Sequence, residues 1–222
     1  MIAKTNFCIH PFNQVNDIES IGGTKNFDLQ KIIQLKPDLI IANHEENTKN
    51  QIMELKNHCP VFVTKVDKVD DVIPMILNLG KLTFTNSKAL DISKSITQKL
   101  NNIKTNSFHN NKVVYLIWKN PYMICGNDTF INSMLKLFKF ENAFKDLNRY
   151  PEVSSLKIKE SCSDYIFLSS EPYPFKEKHL KKISQESNTK ALLVDGEDFS
   201  WFGSRLIQSL DRILKLKQSL HN

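Results

Sequence analysis

The chain has 222 residues, of which 41% are hydrophobic and 24% charged, and its formal net charge is +6. These values are ordinary for a globular protein, so they exclude a disordered or fibrous chain. The lysines are spread along the sequence and no nucleic-acid-binding motif is present, which argues against a nucleic-acid partner. Four cysteines lie far apart without a C-x-x-C pair, as expected of small buried hydrophobic residues.

The first β-α-β motif is predicted near the start of the chain. Apolar residues recur at helical intervals over 26–36, and the short apolar run 39–42 is typical of a parallel strand covered on both faces. After the loop 43–47, a second helix over 48–57 leads to the strand 61–64. Strands that alternate with helices predict a mostly parallel sheet, with ligands at the carboxyl ends of its strands.

The middle of the chain, from Asp71 to about Asn106, has apolar residues at intervals of three and four. This pattern predicts one long helix or two. A helix of about 20 residues spans about 30 Å, which is enough for a stiff spine along two lobes.

The second half of the chain repeats the motif of the first. Its predicted elements are the strand 112–118, the helix 129–138, the short helix 154–160, the strand 164–168, the loop 169–174, the helix 175–184 and the strand 191–195. In the repeat, Asp38 aligns with Asp164 and Glu45 with Glu171. The strand 112–118 and the helix 129–138 have no counterpart in the first half, so we expect the first lobe to lack its first strand and helix.

The predicted fold class is therefore α/β, with two Rossmann-like lobes whose sheets are mostly parallel and which are joined by a long backbone helix. The predicted domains are a truncated amino-terminal lobe over 1–70, a connecting helix over 71–110 and a carboxyl-terminal lobe over 111–222.

Enzyme signatures are missing from the sequence. There is no G-x-S-x-G elbow and no G-x-x-x-x-G-K-[ST] loop, and Gly22-Gly23 is too short to cradle a pyrophosphate. We therefore predict no catalytic residues and a protein that is not an enzyme.

Several segments resemble one family of transport proteins. Ile21–Leu29 followed by Leu35–Ile40 resembles the first lobe of ABC-transporter substrate-binding proteins of the helical-backbone class (class III), the cobalamin and iron-siderophore type. Gly126–Phe130, Arg149–Ser154 and Asp195–Arg205 resemble second-lobe segments of the cobalamin-binding-protein-like branch.

The resemblance implies a function in ligand capture. It implies a ligand such as cobalamin, haem or a ferric siderophore, held between the lobes for delivery to an ABC importer, with no intrinsic cofactor and a monomeric protein. It also implies a periplasmic or membrane-tethered location. The first residues carry no apolar signal segment, so a cytoplasmic location is the alternative.

The resemblance places ligand-binding residues at the strand ends, where flat aromatic rings suit a planar macrocycle. The candidates are His10, Trp118, Arg149, Tyr150, Tyr173, Phe199, Trp201, Phe202 and Arg205. For Trp118 and Phe199 the alternative is a place in the core. For Arg205 it is a structural role in anchoring the last helix, whereas a guanidinium at the ligand would bind carboxylate or amide groups.

The sequence also offers a candidate metal site and candidate residues for docking on a permease. His10, His44 and Glu171 form a candidate metal site, although such histidines are more often exposed loop residues. By resemblance, Glu46 and Glu177 dock on basic sockets of the membrane permease, and their alternative is a solvated surface carboxylate.

Three other functions remain open at this level. They are a bare-metal receptor of the same fold, a cytoplasmic interaction module that has lost transport and, ranked last, a small enzyme of doubly wound fold.

Overall fold

A computed structural model, which describes residues 1–220, places the two predicted motifs in different parts of the chain. The division falls between Lys65 and Val66, so the first motif lies in unit 1, Met1–Lys65, and the second in unit 2, Val66–Asn222. The segment 71–110, which the sequence set apart as a connector, belongs to unit 2.

Unit 1 contains two small parallel sheets and three helices. Its elements are β1 (Ala3–Lys4), α1 (Phe12–Val15), β2 (Glu19–Ser20), α2 (Leu29–Leu35), β3 (Ile40–Asn43), α3 (Lys49–Leu55) and β4 (Val61–Thr64). β1 pairs with β2 and β3 pairs with β4, both in parallel. The β3-α3-β4 unit is the first predicted β-α-β motif.

The core of unit 1 lies on one face of the β3–β4 sheet. Phe27, Ile32 and Leu55 pack with Ala42 of β3 on this face. Because side chains alternate along a strand, Ile41 points to the opposite face, where it is 51% exposed. The expectation that the run 39–42 is covered on both faces is therefore wrong, since an apolar cluster covers one face of β3.

Unit 2 is built around a six-stranded sheet. Its strands are β5 (Asn111–Trp118), β6 (Tyr122–Ile124), β7 (Phe140–Asn142), β8 (Glu152–Val153), β9 (Tyr165–Ser169) and β10 (Lys190–Val194). The order is β10-β9-β5-β6-β8, with β7 beside the first half of β5. β10, β9, β5 and β7 run parallel, and β6 runs antiparallel to both of its neighbours.

The helices of unit 2 lie before, between and after its strands. They are α4 (Val72–Leu82), α5 (Asn86–Lys104), α6 (Phe130–Leu137), α7 (Ser155–Glu160), α8 (Glu177–Ser187), α9 (Gly196–Ser200) and α10 (Leu206–Ser219). A single 3-10 turn, Val69–Asp71, precedes α4. The middle of the chain thus forms two helices, with a turn at which the Thr85 N–H donates to the Gly80 carbonyl at 2.8 Å.

Both faces of the six-stranded sheet are covered. Val113 and Tyr115 of β5 pack in one apolar cluster, whereas Val114 and Leu116 pack in another, and all four are fully buried. Because successive side chains of a strand point to opposite faces, the two clusters lie on the two sides of the sheet. The apolar run of β5 is therefore that of a central strand in a doubly covered sheet.

Asp198 and Lys217 are charged groups that are buried in unit 2. The Asp198 carboxylate accepts hydrogen bonds from Arg212 Nε at 2.7–2.8 Å and from Ser209 Oγ at 2.9 Å. Lys217 is fully buried, and its ammonium donates to the His109 carbonyl at 2.8 Å and to Asn111 Oδ1 at 2.6 Å. Burial lowers the pKa of Lys217 to about 8, from its usual 10.5.

Candidate functional site

The carboxyl ends of three adjacent parallel strands lie at one edge of the sheet in unit 2. These strands are β5, β9 and β10, which end at Trp118, Ser169 and Val194. The residues that follow them form loops at the same edge, which is where open α/β sheets bind their ligands. We call this group of loops the strand-end site.

The loop after β9 contacts the segment after β10 through Glu171 and Trp201, the residue that follows α9. The indole Nε1–H of Trp201 donates to Glu171 Oε1 at 2.7 Å, and the Ser200 hydroxyl donates to the same oxygen at 3.0 Å. The sequence predicted Glu171 as a metal ligand and Trp201 as a ligand-binding ring. The structure brings the two side chains together, with the carboxylate as the hydrogen-bond acceptor of the indole.

Several neighbours act on the pKa of the Glu171 carboxyl. Burial raises the pKa of its carboxyl above the usual 4.5. The hydrogen bonds from Ser200 and Trp201 act in the opposite direction, and the neighbouring carboxylates of Glu197 and Asp195 add to the rise. The net effect is a raised pKa, although two donors stabilise the charged form of this partly buried carboxyl.

Arg205 lies on the same side of the strand-end site. Its Nη2 lies 2.5 Å from Glu197 Oε2 and 3.9 Å from Asp195 Oδ2, and its guanidinium lies 6.0 Å from the centre of the Trp201 ring. Arg205 also occupies the N-cap position of α10, where its carbonyl accepts from the Ser209 N–H at 3.1 Å. Arg205 thus begins α10 and lies close to the candidate ligand ring, and both of its expected roles stay predictions.

Two aromatic rings meet at the ends of β5 and β9. The Trp118 and Tyr173 rings are 5.5 Å apart in an edge-to-face arrangement, and Trp118 is 39% exposed. Tyr173 in turn contacts Phe175 and His179. Burial lowers the pKa of His179, and its Nδ1 accepts the Lys176 N–H at 2.9 Å, so a neutral ring caps α8. Trp118 thus lies at the surface of the strand-end site rather than in the core.

Phe199 and Phe202 differ in their surroundings. Phe199 is 1% exposed and packs against Tyr115 and Phe167, which is the core position that the sequence left open for it. Phe202 is half-buried and contacts the Phe130 ring at 5.3 Å. Between Phe202 and α10, a Cβ atom added to Gly203 would have no neighbour within 4 Å.

Arg149 and Tyr150 belong to the loop between β7 and β8 of unit 2. The N–H groups of Gly126 and Asn127 donate to the carbonyls of Arg149 and Leu147, both at 2.7 Å. Asp128 Oδ1 accepts the Arg149 N–H, and the Arg149 guanidinium lies 5.5 Å from the centre of the Tyr150 ring. The segment 126–130, which carries part of the family resemblance, therefore holds the loop that presents these two candidates.

The remaining candidates are surface residues. His10, His44 and Glu46 are exposed in unit 1, and the backbone N–H of Glu46 donates to Asn43 Oδ1 at 3.1 Å in the loop after β3. Glu177 is exposed at the first residue of α8 in unit 2. Their roles in metal binding and permease docking stay predictions.

The described residues contain neither a metal-binding cluster nor a membrane-spanning helix. Within residues 1–220, no group of three or more His, Cys, Asp or Glu side chains is arranged to hold a metal ion. In the same part of the chain, no helix combines the length and the apolar character needed to cross a bilayer.

Sequence reasoning missed three residues of the strand-end site, namely Ser200, Gly196 and Glu197. Ser200 donates to Glu171, and Glu197 pairs with Arg205. Gly196 lies so close to the loop after β9 that an added Cβ would be 2.5 Å from both Glu171 Cγ and Ser169 Oγ. The signal in the sequence was their position directly after a predicted strand.

Comparison with known proteins places the chain in a family. A family model described as "Periplasmic binding protein" matches residues 1–192. The chain belongs to this family. The resemblance found in the sequence is thereby confirmed.

Two curated relatives of this periplasmic binding protein come from Bacillus subtilis strain 168. One is described as an uncharacterized ABC transporter substrate-binding lipoprotein, YvrC, and is 27% identical over 217 residues, covering 90% of this chain and 68% of the relative. The other, described as the Fe(3+)-citrate-binding protein YfmC, is 24% identical over 159 residues, covering 69% of this chain. The match spans half of the length of YfmC. Both relatives are binding proteins by their names.

A solved structure supports the fold of this family member. The periplasmic vitamin B12 binding protein BtuF of Vibrio cholerae superposes with a TM-score of 0.80 at 19% identity, covering 98% of this chain and 89% of BtuF. At this identity the likeness concerns the fold, and it confirms the predicted α/β class.

Proposed function

We propose that this periplasmic binding protein captures a cobalamin-like or ferric-chelate ligand and delivers it to an ABC importer, without catalysing a reaction. The observation that carries the proposal is the strand-end site of unit 2. There, Trp118 ends β5, Tyr173 lies in the loop after β9 and Trp201 follows α9, at the carboxyl edge of adjacent parallel strands. Flat rings with a few polar anchors suit a bulky planar ligand.

The charges at the strand-end site favour one ligand class over another. Glu171, Asp195 and Glu197 are acidic, whereas Arg205 is already paired with Glu197. An anionic chelate such as ferric citrate would meet like charges there, which lowers affinity. A corrin ring with uncharged amide side chains would instead find hydrogen-bond acceptors. We therefore place a cobalamin-like ligand first.

A ligand-induced thermal shift tests the proposal. The purified protein is heated with cyanocobalamin, haemin, ferric citrate or Zn²⁺ in separate samples. A ligand at one hundred times its Kd stabilises the folded state by about 2.7 kcal/mol, which raises the Tm by roughly 5–10 °C for a domain of this size. We expect the largest shift with cyanocobalamin. No shift with any of the four would overturn the proposal, and a shift with Zn²⁺ alone would favour the bare-metal receptor.

A pair of alanine variants locates the site. Trp201→Ala removes a ring of the strand-end site, and we expect it to weaken binding by about ten-fold to one hundred-fold, as loss of an aromatic anchor does. Leu156→Ala is the matched control, because Leu156 is an exposed apolar residue of α7. Equal affinities of the two variants would place the ligand elsewhere.

Delivery to a permease is the second part of the proposal. Glu46 and Glu177 are exposed carboxylates in units 1 and 2, as a docking role requires. The name of the lipoprotein relative supports a membrane-tethered location, and the monomer is the proposed working form. The double variant Glu46→Lys, Glu177→Lys should lose uptake in a transport assay while its ligand affinity stays unchanged. Unchanged uptake would remove these two residues from the proposed docking surface.

A further inference from the structure

The Glu171 carboxylate contacts the N–H edge of the Trp201 ring. Glu171 Oε1 accepts both the Trp201 indole N–H at 2.7 Å and the Ser200 hydroxyl at 3.0 Å. A hydrogen bond to a charged acceptor is stronger than one between neutral groups. The indole therefore has a preferred direction before any ligand is present.

Glu171 is itself held in place by the loop from which it extends. The Glu171 carbonyl accepts the Ser169 hydroxyl at 2.5 Å, and the Ser170 hydroxyl accepts the Gly196 N–H at 2.9 Å. Because Gly196 has no side chain, its backbone approaches the Glu171 Cγ more closely than any larger residue would allow. The acceptor and the segment that carries Trp201 are thus locked together at the ends of β9 and β10.

A second charged group, which is also anchored, lies near the Trp201 ring. The Arg205 guanidinium lies 6.0 Å from the ring centre and is paired with Glu197 at 2.5 Å. A guanidinium near the face of an indole is attracted by its π electrons. The ring therefore has a charged partner at its edge and another near its face.

We infer that Glu171 is a positioning residue, which presets the Trp201 ring for the ligand by accepting its indole N–H. The inference deepens the proposed function and rests on it where ligand affinity is concerned. The preset ring itself is a property of the protein without ligand. Preorganisation of this kind raises affinity because the ring loses less freedom on binding.

A fluorescence experiment tests the position of the ring without any ligand. Trp118 and Trp201 are the two tryptophans of the chain, so the variant Trp118→Phe has Trp201 as its single emitter. In that background Glu171→Met keeps the length of the side chain but removes the acceptor, whereas Glu171→Gln keeps an acceptor oxygen. We expect acrylamide quenching of Trp201 to rise by about two-fold in the Met variant, as for a locally released group, and to stay near the parent value in the Gln variant.

Two controls accompany this experiment. Glu160→Met replaces an exposed carboxylate at the end of α7 and should leave the quenching unchanged. In the unaltered protein, hydrogen exchange of the two indole N–H groups provides a measurement that needs no substitution at 171. The Trp201 N–H should exchange more slowly than that of Trp118, because the former is hydrogen-bonded and the latter belongs to a 39% exposed side chain.

A binding experiment tests whether the preset ring serves the ligand. With cyanocobalamin as the probe, Glu171→Met and Trp201→Phe should each weaken binding by about ten-fold. This is the effect expected when one strong hydrogen bond is lost or when the geometry of one ring is changed. If Glu171 acts through Trp201, the double variant should be no weaker than Trp201→Phe alone.

The outcomes separate the two proposals. Parent-level quenching in Glu171→Met, or equally fast exchange of the two indole N–H groups, would overturn the inference. So would losses that multiply in the double variant. If the unaltered protein binds no probe, the proposed function fails, while the quenching and exchange results still decide whether Glu171 positions Trp201.

Discussion

The β-α-β motif occurs in both units of this chain, but its first strand has a different environment in each. Counting from the aligned residues Asp38 and Asp164, Ile41 of β3 corresponds to Phe167 of β9. Ile41 is 51% exposed, whereas Phe167 is fully buried. β9 pairs with β5 and β10 and has an apolar cluster on each face, whereas β3 pairs with β4 above a single cluster. An apolar run thus predicts a strand, but the neighbours of the strand set its burial.

The test with the largest expected effect is truncation of the two corresponding side chains. Phe167→Ala should cost about 3–5 kcal/mol of unfolding free energy, because it opens a cavity between aromatic rings. Ile41→Ala should cost less than about 1 kcal/mol, as most surface substitutions do. Urea unfolding measures both, with tryptophan fluorescence for unit 2 and circular dichroism for the whole chain. Similar losses at the two positions would show that β3 is buried in solution.

The ion pairs of the two units provide the next test. Arg212→Met leaves the buried Asp198 carboxylate with the Ser209 hydroxyl as a donor, and it should cost about 3 kcal/mol. In unit 1, Glu19 pairs with Lys31 at 2.8 Å on the surface, so Glu19→Ala should cost less than about 1 kcal/mol. Denaturant unfolding in low and high salt separates the cases. Only the surface pair should respond to added salt.

The buried ammonium of Lys217 predicts a pH dependence of stability in unit 2. The unfolded chain holds this proton up to about pH 10.5 and the folded chain releases it near pH 8, so folding releases a proton between these values. Stability should therefore rise by about 2 kcal/mol between pH 8 and pH 10, and the cost of burying the charge should stay constant below pH 8.

The variant Lys217→Met isolates this contribution. The difference in unfolding free energy between the parent and Lys217→Met should change with pH in that window. Lys215→Met, which alters an exposed lysine of the same helix, should track the parent. A parallel response of all three proteins would contradict the buried ammonium.

The smallest test concerns a feature that the two units share. Asp28 caps α2 by accepting the Lys31 N–H at 2.9 Å, and Ser154 caps α7 by accepting the Lys157 N–H at 3.2 Å. Asp28→Ala and Ser154→Ala should each cost about 1 kcal/mol. Thermal unfolding of the two variants measures the losses. A loss confined to one variant would show that the caps are not equivalent.

The sequence predicted those elements whose pattern is local. The run from Lys112 to Trp118 and the cap at Thr129 have the composition of a strand and a helix start, and β5 and α6 lie there. The short strands β6, β7 and β8 were missed, because two or three residues carry no period of their own. Their pairing is determined by their neighbours in the sheet.

The candidate site could be predicted from the sequence only in part. Trp118, Tyr173 and Trp201 were predicted because the resemblance places the ligand at strand ends, and parallel strands end at one edge. Their role in ligand binding stays a prediction. The hydrogen bond from Trp201 to Glu171 joins residues 30 positions apart and depends on the side-by-side pairing of β9 and β10, which no local pattern gives.

The sequence contained an overlooked signal for the buried position of Lys217. Leu206, Leu210 and Ile213 recur at intervals of four and three on the buried face of α10, and Lys217 follows at the next interval of four. Helical spacing alone places this lysine on the apolar face. Its partners, the carbonyl of His109 and the side chain of Asn111, are more than 100 residues away and are revealed by the fold.

Gly203 has a practical consequence. The open space around it, two residues from Trp201, leaves room for a chemical tag at this position. Once the accessible thiols Cys8 and Cys162 are replaced by serine, a solvent-sensitive dye on Gly203→Cys would convert the protein into an optical sensor of its own cargo.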